Sequence, residues 1–188
     1  MTPTGARERL VSALREHALV IGEVTLTSGQ KAQYYVDAKR AILLPEAFAA
    51  MGELVAEQAR AVDASAVGGV PVSAIPVACA ALAAGAPGKA FFVRKERKPH
   101  GLQRWIEGPD LEPGERVLIV EDVVTTGGST VAALERVREA GLEVAGVVSV
   151  LDRLAGGAEN IRAASAGAPY VPLTTIDDVY PDRPDRAA

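Results

Sequence analysis

The sequence predicts an α/β domain with a central parallel sheet flanked by helices. Four short apolar runs, SAVGGV, KAFFVR, RVLIVE and EVAGVVSVLD, are bounded by turn residues and separated by helical or long polar stretches. Such near-continuous apolar strands belong to sheets covered on both faces. The size agrees: 188 residues with 48% hydrophobic and 23% charged side chains suit one domain with a sizeable core. A third observation concerns ligands. Between Val117 and Thr130 the chain reads VLIVEDVVTTGGST, an apolar run that meets two acids and passes into hydroxyls and glycines.

Taken in order, Leu10, Leu14 and Ala18 recur at helical spacing and predict an opening helix that includes His17. In EVTLTSGQKAQYYVDAKR, alternation on both sides of Ser28-Gly29 predicts two short strands and a turn. From Pro45 to about Arg60, Phe48, Met51 and Val55 on an alanine-rich background predict a helix with proline in its first turn. AIPVACAALAAGAPG is too short to span a bilayer and is interrupted by Pro76. The four strands follow, and PYVPL is a further strand candidate in a C-terminal segment that otherwise shows little chemistry. PDRPDRAA reads as a frayed tail.

Composition excludes several classes. A net charge of −4 at pH 7 argues against general affinity for nucleic acid or anionic membranes, so a basic patch must be local. MTPTGARERLVSALREH lacks the apolar core of a secretory signal. One cysteine, Cys79, excludes an intrachain disulfide and a multi-cysteine metal site, and reads as a small buried hydrophobe. A cytoplasmic protein is expected.

A buried charge without a partner is costly, so a strand that only had to pack would gain nothing from Glu121 and Asp122. With Val117 to Val120 as the strand, the two carboxylates emerge at its carboxyl end, where sheets of this type bind ligands. There they can meet vicinal hydroxyls or a hydrated cation. Gly127 and Gly128 let the following backbone turn inward, Thr126, Ser129 and Thr130 add hydroxyls, and a helix starting near Ser129 brings its positive end. One segment thus suits a phosphate and a sugar diol. Neither GxxxxGK[ST] nor GxGxxG occurs.

These residues resemble the phosphoribosyl pyrophosphate (PRPP) motif of type I phosphoribosyltransferases, in which the motif spans Glu121, Asp122, Val123, Val124, Thr125, Thr126, Gly127, Gly128 and Ser129. Three more stretches narrow the resemblance to the orotate branch of that family. FFVRKERKPHGLQRWIEG resembles its flexible catalytic loop, a basic segment in an acidic protein that suits a lid over a polyanion. The resemblance implies that Arg94, Lys98 and His100 contact the pyrophosphate, that Lys95 reaches the neighbouring subunit's site, and that the active unit is a homodimer. VTLTSGQKAQYYVDAKR resembles the hood over the base, with Tyr34 and Tyr35 beside orotate; read plainly, it is a hairpin with two packed tyrosines. Thr27 and Ser73 stand where some members carry lysine, which leaves more of the charge to Lys31, the loop and the metal. In VVSVLDRLAGGAENI, Asp152 and Arg153 follow a strand, and as a bare pattern this is as well an internal ion pair. Arginine has a planar fork matched to a carboxylate, and the family places one here for the carboxylate of orotate, with Thr125 near the same ring.

The resemblance implies one domain over residues 1–188, with a hood from about 1–40 and the C-terminal region, a core over about 45–165 and a flexible loop over about 94–114. It implies Mg2+-dependent transfer of the 5-phosphoribosyl group from PRPP to orotate, giving orotidine 5'-monophosphate and pyrophosphate. Lys98, His100, Arg94 and Asp122 are its catalytic residues. Mg2+ is expected mainly on PRPP, with Asp122 and Glu121 reached through water. No covalent intermediate on Ser28, Ser129 or Cys79 is expected. Two other readings keep the fold: transfer to a purine or other base, and a PRPP-sensing regulator that binds nucleic acid.

Overall fold

A computed structural model describes residues 5–25, 31–96 and 105–186. The chain opens with helix α1 (Ala6–Ala13), which continues through a π-helical turn, Leu14–Ala18, into strand β1 (Leu19–Thr25). Leu10, Leu14 and Ala18 are fully buried, as their spacing predicts. β1 pairs antiparallel with β2 (Lys31–Val36), and Ile21 lies opposite Tyr34. The strands of this hairpin are those expected, although β1 begins earlier than the alternating pattern; the turn at Ser28-Gly29 lies outside the described residues. A short helix α2 (Lys39–Ile42) leads to α3 (Pro45–Ala61), where Pro45 occupies the first turn and Met51 and Val55 are fully buried.

The second sheet has six strands in the order β5-β4-β3-β6-β7-β8. They are β3 (Ala66–Gly69), β4 (Lys89–Val93), β5 (Ile106–Glu107), β6 (Arg116–Val124), β7 (Glu143–Asp152) and β8 (Tyr170–Thr175). All pairings are parallel except β4 with β5. Helix α4 (Ala74–Ala83) links β3 to β4, α5 (Gly128–Glu139) links β6 to β7, α6 (Gly157–Ala164) links β7 to β8, and α7 (Ile176–Val179) follows β8.

Alternation along β6 explains why its stretch from Val117 to Val120 is apolar throughout. Leu118 and Val120 join a core cluster with α1, α3 and α4, whereas Val117 and Ile119 join a second cluster with Leu134 of α5 and Ile161 of α6. Both faces are covered, so neither set of side chains can be polar. The chain leaves β3 toward β4 on one side and later enters β6 on the other, so the strand order reverses between β3 and β6. In sheets of this kind such a reversal sets a crevice at the carboxyl ends of the strands.

Several expectations change. β6 continues through Glu121 and Asp122 to Val124 instead of stopping at Val120, because its pairing with β7 runs on to Val124 opposite Asp152. Pro76 does not interrupt a helix; it sits in the first turn of α4, where an amide N–H would have no helical acceptor. Cys79 is exposed on that helix and is not a core residue. Strand β5 falls inside the stretch expected as loop. The tail is not frayed as far as Arg186: Arg183, only 9% exposed, forms ion pairs with Asp177 and Asp185. Among the described residues no helix is long and apolar enough to cross a membrane.

The two ends of the chain are joined. Arg7 donates to Asp178 Oδ2 at 2.7 Å and to the Leu173 carbonyl at 3.1 Å, and Arg15 donates to the Asp178 carbonyl at 2.7 Å. Asp178 also closes a capping box with Thr175.

Gly69 ends β3 at the crevice, and a Cβ there would stand 2.1 Å from the Val120 carbonyl oxygen and 2.7 Å from Ala74 Cβ. Both obstacles belong to the central scaffold. Gly69→Ala is expected to lower unfolding stability in urea by about 2 kcal/mol or more; a change below about 0.5 kcal/mol would show that β3 and β6 can separate freely.

Candidate active site

The acid pair lies at the crevice, with Glu121 and Asp122 each 7% exposed. The two carboxylates lie close enough to interact with each other, and beyond that contact they have different partners. Glu121 accepts hydrogen bonds from the Ser129 hydroxyl at 3.0 Å, the Thr130 hydroxyl at 3.5 Å and the Asp122 amide at 3.3 Å. Burial and, after it, the neighbouring Asp122 charge outweigh these donors and raise Glu121 to about 7. Asp122 faces Lys39 Nζ at 3.9 Å, and the same ammonium is 2.8 Å from Asp37 Oδ1. Its hydrogen bond to Asp37 is the main cause holding the Lys39 pKa above its usual value, and Asp122 adds to it.

The glycine turn after β6 is shaped by contacts from two sides. Gly127 has φ of +77° and caps α5, which starts at Gly128, one residue before the predicted position. A Cβ on Gly157 would lie 2.5 Å from Val124 Cγ1 and 2.6 Å from the Thr125 carbonyl oxygen, so the start of α6 rests directly on this turn. Asn160 Nδ2 donates to the Thr126 carbonyl at 3.0 Å. Thr125, Thr126, Gly128 and Ser129 remain exposed, while Gly127 and Val124 are buried and Val123 is half-buried. Ser129 does not cap the helix with its side chain; it and Thr130 turn to Glu121, whose carboxylate draws the hydroxyl protons.

Beside the turn lies Arg153, whose backbone N–H donates to the Val124 carbonyl at 2.9 Å. Its guanidinium stands 5.0 Å from the centre of the Tyr34 ring, and Nη2 donates to the Tyr34 hydroxyl at 3.2 Å. The sequence alternative of an Asp152–Arg153 ion pair is not what forms. Asp152 instead accepts from the Leu154 amide at 2.7 Å and from the Tyr170 hydroxyl at 2.9 Å, and burial, with Asp152 beside it, raises the Tyr170 pKa. Arg153 is left for another partner: its Nε is buried and has no acceptor among the described residues.

Tyr34 is 3% exposed, and Tyr35 lies on the other side of β2 with 36% exposure, close enough to influence Lys39. The predicted site residues thus divide. Glu121, Asp122, the Thr125–Ser129 turn, Arg153 and Tyr34 gather around adjoining strand ends. Arg94, at the end of β4, pairs with Glu107 of β5 at 2.9 Å and donates to the Glu96 carbonyl at 3.1 Å. Lys95 is exposed, and Lys31 pairs with Glu23 at 2.8 Å on the hairpin surface. Ser73 precedes α4 without capping it. Lys98, His100 and Thr27 lie outside the described residues.

Sequence reasoning missed three participants: Lys39, Asn160 and the tail. Lys39 follows Asp37 at the mouth of α2, and a lone lysine after a hairpin carries no pattern. Asn160 lies on the exposed side of a short helix, where asparagine is ordinary. The tail reads as disordered because its order rests on contacts with Tyr34 and Asp177, far away in sequence or on another element. Among the described residues no group of three or more His, Cys, Asp or Glu side chains could hold a metal ion. The paired oxygens of Glu121 and Asp122 do suit hydroxyls or the water shell of a hard cation such as Mg2+, which usually keeps several waters.

The Phosphoribosyl transferase domain family matches residues 46–165, and these include β6, the glycine turn and Arg153. The orotate phosphoribosyltransferase of Corynebacterium glutamicum strain R is 49% identical over 175 residues, covering 93% of this chain and 94% of that protein. That of Sorangium cellulosum is 44% identical over 192 residues, covering 98% and 99%. Among solved structures, Mycobacterium tuberculosis H37Rv orotate phosphoribosyltransferase in complex with Fe(III) dicitrate superposes with a TM-score of 0.84 at 44% identity, over 93% of this chain and 99% of that one. The same enzyme in complex with PRPP gives 0.78 at 40% identity, over 93% and 98%.

The raised Glu121 pKa makes stability depend on pH. The folded protein without ligand retains a proton that the unfolded chain releases near pH 4.5, so this contribution is full below pH 4.5 and is lost as pH rises through about 7. Glu121→Gln cannot ionise. Its unfolding free energy is therefore expected to gain on the wild type by about 2–3 kcal/mol between pH 4.5 and pH 8, read by urea denaturation. Parallel pH profiles would mean that the carboxylate stays ionised in the folded state.

Proposed function

This chain belongs to the orotate phosphoribosyltransferase family, and we propose how its residues share the work of that reaction. The enzyme transfers the 5-phosphoribosyl group of PRPP to orotate and forms orotidine 5'-monophosphate and pyrophosphate, a step of pyrimidine biosynthesis. The observation that carries the residue assignment is the union, at neighbouring strand ends, of a buried acid pair, a glycine turn and an arginine with an unused buried N–H.

The turn from Thr125 to Ser129 receives the 5-phosphate. Exposed hydroxyls, the N–H groups beside Gly127 and the start of α5 all favour an anion there. Glu121 and Asp122 accept the ribose hydroxyls; their charge favours the oxocarbenium character that develops at the anomeric carbon as the bond to pyrophosphate breaks. Ser129 and Thr130 exchange their bonds to Glu121 for bonds to the ligand. Lys39 balances Asp122 in the absence of substrate. Asp122 and Glu121 would hold Mg2+ through water, with most of its ligands coming from PRPP, and the bound ion would supply charge neutralisation for the leaving pyrophosphate.

Arg153 donates to the carboxylate of orotate through its planar edge, with Thr125, Tyr34 and Tyr35 around the base and the hairpin as part of a hood. Arg94, Lys98 and His100 close on the pyrophosphate and exclude water that would capture the sugar. Arg94 leaves Glu107 to do so. Lys95 serves the neighbouring site of a homodimer. The acidic, single-cysteine chain works in the cytoplasm.

Purified protein mixed with orotate, PRPP and Mg2+ is expected to remove the orotate ultraviolet absorbance only when both PRPP and metal are present, and to leave adenine and hypoxanthine unused. Loss of orotate without added metal would refute the Mg2+ assignment. In the same assay Lys98→Ala is expected to lower kcat on the order of a hundredfold with a smaller change in the KM for orotate. Arg153→Ala is expected to raise the KM for orotate on the order of tenfold to a hundredfold. Mild, equal effects of both substitutions on every parameter would overturn the two roles.

A further inference from the structure

Residues 181–186 of the tail return to the base side of the crevice. Arg183, 9% exposed, is tied to Asp177 on α7 and, through its Nε, to Asp185 Oδ1 at 3.2 Å. Arg186 adds a bond to the Pro181 carbonyl at 2.8 Å. The carboxylate of Asp185 is therefore set in place by an arginine whose side chain is 9% exposed, although its own side chain is 58% exposed. It accepts the hydroxyl proton of Tyr34, with Oδ1 at 3.1 Å and Oδ2 at 3.0 Å. Tyr34 in turn accepts from Arg153 Nη2 at 3.2 Å.

We propose that Asp185 is a positioning residue for orotate, acting through Tyr34 on Arg153. A phenol has a single proton. When Asp185 takes it, the lone pairs of the oxygen are turned to the guanidinium, so the three groups form a chain with one direction from Arg153 to Tyr34 to Asp185. The ring is held from a second side by Tyr180, edge-on at 5.3 Å. Arg153 has a long, many-rotamer side chain, and the contacts to Tyr34 fix Nη2 and the flat face while Nε remains a buried donor without a partner among the described residues. Ordering that fork before binding removes part of the entropy cost of capturing a planar carboxylate. The tail thus belongs to the base site and not to the phosphate site. This inference rests on the assignment of Arg153 to the orotate carboxylate.

The test is steady-state kinetics with orotate and PRPP varied separately, on wild type, Asp185→Ala, Asp185→Glu, Tyr34→Phe, the Asp185→Ala/Tyr34→Phe double variant and Arg153→Ala, with a melting temperature for each. Asp185→Ala and Tyr34→Phe are each expected to raise the KM for orotate about threefold to tenfold while the KM for PRPP moves less than about twofold. The double variant is expected to match a single one, since both cut the same chain, and Asp185→Glu to recover part of the loss. The inference alone is overturned if Arg153→Ala raises the KM for orotate but Asp185→Ala leaves it unchanged or lowers it, if both KM values rise together with a lower melting temperature, or if the two substitutions add. If Arg153→Ala itself leaves the KM for orotate unchanged, the Arg153 assignment falls and this inference with it.

Discussion

Two adjacent carboxylates cannot both be ionised and buried unless their surroundings balance them, and that constraint organises the crevice between β3 and β6. Glu121 resolves it by burial with a proton held to about pH 7 and by three donors, two of them hydroxyls of the residues that open α5. Asp122 resolves it with Lys39. Each solution uses groups that a phosphorylated sugar or its metal would replace. A ligand that displaces them has to offer the two acids hydroxyls or a cation in exchange, because either acid left buried without a partner would be costly.

The scaffold serves that arrangement through close backbone approach. Gly69 and Gly157 stand where a side chain would strike Val120, Val124 or Thr125, so β3 and α6 press against the two sides of the strand and turn that carry the acids and the glycines. The reversal of strand order leaves the space above β6 open. Arg153, joined to Val124 by its backbone N–H, brings a guanidinium to the glycine turn without any long loop between them. The acid pair, the glycine turn and Arg153 thus come from two adjacent parallel strands and the short segments at their carboxyl ends, and Tyr34 reaches them from the hairpin.

Local patterns carried much of this. The apolar runs marked four strands because residues buried on both faces must be apolar, and the acids and glycines after Val120 stood out because packing alone would not select them. The family resemblance in these residues agrees with the domain match over 46–165 and with orotate phosphoribosyltransferases of high identity. Less visible were features whose partners are remote. Val124 continues β6 because β7 continues beside it, and two residues of β5 form a strand only because β4 offers an open edge. Cys79 looked like core among alanines, yet its side of α4 faces outward.

By itself the sequence determined the α/β class, the position of the acid pair and glycine turn, and the arginine suited to a carboxylate. These depend on periodicity and on residue chemistry within a few positions of the chain. Tertiary structure decided how each charge is answered: Lys39 for Asp122, Ser129 and Thr130 for Glu121, Tyr170 for Asp152, and Tyr34 with Asp185 for Arg153. Most of those partners are separated by many residues, and a hydrogen bond acts over about 3 Å of space with no regard to distance along the chain.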